Sequence, residues 1–126
     1  MKKENKKITE LVKTFEDARK LTGRPDVPDF SNLPTDMRKH FEAQYKMIVI
    51  AEALNEGWIP DWDNYNEYKY YPWFEMSPSS FAFGVSLCGD AGARAGSGSR
   101  LKFRTHELAE YAAKQFIDIW KDIQIA

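Results

Sequence analysis

Arg100-Leu101-Lys102-Phe103-Arg104 is the stretch on which the fold turns, because cationic and apolar side chains alternate strictly through it and an amphipathic helix pattern starts directly afterwards. Alternation with a period of two is the mark of a half-buried strand. In that reading Leu101 and Phe103 face a core, and Arg100, Lys102 and Arg104 line the opposite, wet side as a basic stripe.

Upstream, Gly89 to Ser99 holds four glycines and three alanines, too little bulk to fix a path, and reads as a loop. Before it, Phe81 to Leu87 puts Phe81, Phe83, Val85 and Leu87 on one face of a strand, with Cys88 following as a small packing residue. Tyr68 to Met76 has strong β propensity. Pro72 excludes a central position there or demands a bulge, and Ser77-Pro78-Ser79-Ser80 supplies the turn of an aromatic hairpin.

Downstream, Thr105 is a natural cap for a helix whose Leu108, Ala112, Phe116, Ile119, Trp120 and Ile123 form a single stripe. Toward the N-terminus, Pro34 and Thr35 precede a second long helix over about 36 to 56. Its run Met47-Ile48-Val49-Ile50-Ala51 is apolar all round and reads as the centre of the core, with Gly57 as the stop. Pro25, Pro28 and Pro34 make the segment before it irregular. Thr14 and Asp17 form a capping box for a short helix over 15 to 22 closed by Gly23, while Ile8 to Val12 fits either a backward extension of that helix or an extended segment.

The expected architecture is therefore α+β: a small antiparallel three-stranded sheet with two long helices and one short N-terminal helix packed on one face, the other face open. The expected organisation is a flexible basic tail over 1–13 and a single domain over 14–126.

Composition narrows the functional classes. The 126 residues carry a formal charge of −1, so whole-molecule attraction to nucleic acid is absent and any anion site must come from local clustering. Such clustering exists: five acids and no Lys or Arg lie between Glu52 and Glu67, four cations and no acid between Arg94 and Arg104. One cysteine excludes an internal disulfide. The absence of a long apolar run or a signal-type start points to a cytoplasmic protein without a membrane span.

No catalytic or metal spacing emerges, and no cofactor is expected. Asp61-Trp62-Asp63-Asn64-Tyr65 begins like a calcium loop but has Tyr65, Asn66 and Pro72 where ligands and the turn glycine belong. Gly89 to Ser99 lacks the Gly-Lys-Ser/Thr ending of a phosphate loop. Cys88 has no base placed near it by spacing, since His40 and His106 lie on helices elsewhere.

The strings Glu52-Ala-Leu-Asn-Glu-Gly-Trp-Ile-Pro-Asp-Trp62, Tyr70-Tyr-Pro-Trp-Phe74, Ser99-Arg-Leu-Lys-Phe103 and Glu107-Leu-Ala-Glu-Tyr-Ala-Ala-Lys-Gln-Phe116 resemble a family of small proteins from Bacteroides-type bacteria and their phages. That family has no assigned activity, so the resemblance implies a phage or mobile-element setting and carries no residue roles.

Two functional expectations follow. The first is a non-enzymatic accessory protein holding nucleic acid through Arg94, Arg100, Lys102 and Arg104, with Tyr68, Tyr70 and Trp73 as stacking platforms. The second is a protein-interaction or structural module that uses exposed aromatics and possesses the option of homo-oligomerisation. The bland reading of the same cations is that they guard an edge strand against aggregation.

Overall fold

The computed structural model describes residues 6–77 and 79–126. In chain order these form α1 (Ile8–Leu11), α2 (Phe15–Thr22), α3 (Thr35–Asn55), β1 (Lys69–Glu75), β2 (Ala82–Gly89), a 3-10 turn (Ser99–Leu101), α4 (His106–Gln115) and α5 (Ile117–Gln124). The α+β class stands, but the expected sheet and helix count are corrected: among the described residues there are two antiparallel strands and five helices.

The missing third strand has a cause in the sequence. Tyr70 and Phe103 exchange both backbone hydrogen bonds, Tyr70 N–H to Phe103 O at 3.0 Å and Phe103 N–H to Tyr70 O at 2.8 Å, and form one isolated antiparallel pair. The next such pair would set residue 72 against residue 101, and Pro72 has no N–H to give. On the other side Thr105 caps α4, its hydroxyl accepting from the Leu108 amide at 3.1 Å. With both neighbours withdrawn, residues 99–101 coil into the 3-10 turn and only Phe103 pairs with β1.

β1 and β2 pair from Lys69↔Gly89 through Trp73↔Val85, and then slip to Phe74↔Phe83. Gly84 is the extra residue of this bulge, and a Cβ there would lie 2.6 Å from Trp73 Cε3. The bulge reverses the facing of the strand across Gly84. Phe83 consequently shares a face with Phe74, whereas Val85 and Leu87 share the opposite face with Trp73 and Tyr71, so the expected common face of Phe81, Phe83, Val85 and Leu87 is corrected.

The face carrying Tyr70, Phe74 and Phe83 packs on the helices. Phe74 lies 5.3 Å from Trp120 and 4.8 Å from Phe81, ring centre to ring centre. The apolar run of α3 is covered, Met47 and Ile50 being 0% exposed and Val49 and Ala51 1%. The single C-terminal helix read from the stripe is two, because the chain bends at Phe116 (φ −114°, ψ 33°). That bend buries Phe116 and Trp120 together, and the Trp120 indole donates to the Ala112 carbonyl at 3.1 Å.

At the N-terminus, the Thr14–Asp17 capping box and the left-handed Gly23 (φ 74°) bound α2 as the sequence requires. The second part of the segment expected as a tail over 1–13 packs against the helices. Ile8 to Leu11 is a one-turn helix, Val12 is wholly buried, and the Val12 carbonyl accepts from the Tyr111 hydroxyl. Residues 1–5 of that expected tail lie outside the described residues. No helix among the described residues is long and apolar enough to cross a membrane.

Candidate functional site

Two lysines stand on the sheet face turned away from the helices, and both are completely buried. Lys69 begins β1, and its ammonium donates to the backbone carbonyls of Asn64, Glu67 and Asp90 at 2.9, 2.9 and 3.0 Å. Each of its three N–H groups has an acceptor, and Glu67 Oε1 at 3.4 Å supplies a counter-charge. Lys69 thereby pins two irregular segments, 58–67 and 90–99, to one end of the sheet. Glu67 completes the clamp by accepting from the Asp61 amide at 2.7 Å and the Trp58 indole at 3.2 Å. Those contacts, the Asp61 amide foremost, hold its carboxyl below the usual range.

Lys102 is the contrasting case. Phe103 points to the helices, so Lys102 beside it projects to the other face, where its Nζ sits 3.5 Å above the centre of the Tyr71 ring. No hydrogen-bond partner meets that Nζ among the described residues. Burial first, and the neighbouring Arg94 second, lower its pKa to about 8. Arg94 comes from the glycine-rich loop and donates from Nε to the Tyr71 hydroxyl at 3.1 Å. One aromatic ring thus holds two cations, one on its face and one at its hydroxyl.

The basic stripe expected over 100–104 is therefore taken apart. Lys102 is inside the protein. Arg104 closes the C-terminal end of α3, donating to the Leu54 carbonyl at 3.3 Å and to Glu56 Oε2 at 2.8 Å, where a cation also opposes the negative end of the helix. Arg100 is exposed at the 3-10 turn and Arg94 is exposed on its loop. The four cations do not form one surface.

The expected aromatic platforms separate in the same way. Tyr70 is half-buried toward α4, edge-on to His106 at 6.0 Å between ring centres. Tyr68 (56% exposed) and Trp73 (47%) are open to solvent, and Val85 (46%) stands directly across from Trp73. Trp73 lies over Gly84, so the indole covers a position in the middle of the hairpin that has no side chain.

Asn55 is a residue that sequence reasoning missed. It is buried, and its side-chain amide pairs with the 102–104 backbone: Nδ2 donates to the Lys102 carbonyl at 2.8 Å, and Oδ1 accepts from the Arg104 amide at 3.0 Å. A polar residue at the end of a nearly all-apolar helical run was the available signal. Of the catalytic candidates, His40 Nδ1 is engaged with the Ile123 carbonyl at 3.1 Å, His106 pairs with Glu110 at 3.8 Å, and Asp61 accepts from the Asp63 amide at 3.0 Å within its own turn. Cys88 is exposed on β2, not the packed residue expected.

No family model, curated protein or solved structure matches this chain.

Proposed function

We propose that this chain is a non-enzymatic interaction module that associates with a second copy of itself through the free edge of β2 and the apolar patch beside it. The supporting observation is the character of β2. Ala82–Gly89 is eight residues long, contains no charged side chain and no proline, and has no strand on its far edge among the described residues. Tyr70 directs its backbone groups to Phe103, so by antiparallel geometry its partner Cys88, and likewise Ser86, turn their N–H and C=O groups away from β1. Monomeric proteins blunt such an edge with charges, proline, bulges or a covering loop; β2 has the bulge at Gly84, and from Val85 to Gly89 it runs regularly with no charge and no proline. An uncharged strand can meet its own copy antiparallel about a two-fold axis with no like-charge contact, and Trp73 and Val85 would then extend a common apolar face across the joint.

This reading is preferred to nucleic-acid binding because Lys102 is enclosed and Arg104 is paired with Glu56 and the Leu54 carbonyl at the end of α3, leaving Arg94 and Arg100 as separate exposed cations. The phage or mobile-element setting implied by the resemblance belongs to the same proposal.

Sedimentation equilibrium tests it. The expected result is a concentration-dependent mass of twice the 14.6 kDa chain, returned to the monomer by Val85→Lys, which adds the kind of charge that guards edges. A chain that stays monomeric throughout, or a dimer indifferent to Val85→Lys and Ser86→Pro alike, overturns it.

A further inference from the structure

We infer that Lys102 is a site of carbamate formation, its ε-amine taking up carbon dioxide with Arg94 as the counter-ion. The geometry around Nζ carries the inference. A fully buried ammonium without a hydrogen-bond acceptor is costly, and here a second cation, Arg94, is held on the same Tyr71 ring. Lys69, equally buried on the same face, shows what a satisfied lysine looks like in this fold: three carbonyl acceptors and a carboxylate. Lys102 has instead the face of the Tyr71 ring, and an exposed guanidinium on that ring's hydroxyl.

Reaction with carbon dioxide relieves this arrangement. The neutral amine, a state favoured by a pKa near 8, gives its lone pair to the carbon; the N–C bond forms, one C=O bond becomes C–O⁻, and one proton leaves to solvent. A buried positive charge is exchanged for a negative one beside Arg94. The Arg94 Nε is occupied by Tyr71, whereas its two terminal nitrogens have no partner among the described residues and form the fork that accepts a planar carboxylate-like group. Carbon dioxide is small and uncharged, and so suits a fully buried amine better than a charged or bulky reagent would.

The test uses the whole chain in buffer containing ¹³C-labelled bicarbonate. Carbon NMR reports carbamates, and alkylative trapping followed by peptide mass mapping places them. A carbamate at Lys102 is expected besides any on the terminal amine, removed by Lys102→Arg, and reduced about tenfold in occupancy by Arg94→Ala, the worth of one charge-assisted hydrogen bond. Arg94 is exposed, so that variant leaves the core intact and decides the matter even if Lys102→Arg unfolds. Trapped label confined to the terminal amine or surface lysines, or a Lys102 adduct indifferent to Arg94→Ala, overturns the assignment.

Discussion

Replacing Asn55 with alanine should destabilise the protein by about 3 kcal/mol. Its side chain makes two hydrogen bonds, 2.8 Å to the Lys102 carbonyl and 3.0 Å from the Arg104 amide. Each backbone group left buried without a partner costs ~1–3 kcal/mol. The Lys102 carbonyl lies in the interior, whereas the Arg104 amide is partly accessible and water can serve it in part, so the sum falls in the lower half of the ~2–6 kcal/mol that two such groups span. Spread over a chain of 126 residues, that loss corresponds to a fall of about 10 °C in Tm. Urea unfolding followed by tryptophan fluorescence, with calorimetry alongside, measures both. Asn55→Leu separates hydrogen bonding from volume: it refills the space and restores neither bond, so it should recover little of the loss. Destabilisation below about 1 kcal/mol in Asn55→Ala, or full rescue by leucine, would refute the claim that Asn55 fastens the 102–104 segment to α3.

Gly84→Ala should cost about 1–3 kcal/mol, because the new methyl would press within 2.6 Å of Trp73 Cε3 and displace the indole or open the bulge; equal stability with unchanged Trp73 fluorescence would show that the indole does not rest there. Lys102 sets a pH dependence whose sign is fixed: its folded pKa, about 8, lies below the unfolded value of about 10.4. The unfolded state therefore binds more protons between these values, and stability rises with pH across that window. In carbon dioxide-free buffer the rise should be visible from pH 8 toward pH 10 and absent in Lys102→Met, which should also be the more stable protein at pH 7 by on the order of 2–3 kcal/mol. Tyr111, whose pKa burial raises, acts with the opposite sign only toward and above its ordinary value of 10.0, which bounds the useful range. Identical slopes in the two proteins would show that Lys102 is not the group responsible.

The α3 helix, the α2 capping box and the buried stripe of the C-terminal helices were legible because each rests on local chemistry. Thr14 and Asp17 lie three residues apart on one turn, Gly23 supplies the positive φ, and Leu108, Ala112, Phe116 and Trp120 recur with the helical period. The bend at Phe116 was less accessible, since an uninterrupted stripe looks the same whether the helix runs straight or turns to bury Phe116 and Trp120 together.

The candidate site was the least legible part. Alternation at 100–104 fixed which way Phe103 and Lys102 point, and that much held: Phe103 faces the helices and Lys102 the other side of the sheet. Whether that other side is water or protein depends on Lys69 and Glu67 drawing the 58–67 and 90–99 segments over it. It depends also on Tyr71 receiving both Lys102 and Arg94. Whether the segment becomes a strand depends on Pro72, which cannot donate to it.

Composition and periodicity thus determined the class of fold, the helical core and the direction of each side chain at 102 and 103, because those follow from neighbours along the chain. The tertiary structure alone decided that the basic stripe is dispersed, with Lys102 enclosed, Arg104 capping α3, and the uncharged edge of β2 unpaired among the described residues. The environment of a charge is set by residues distant in sequence that fold across it, and alternation within five residues carries no record of them.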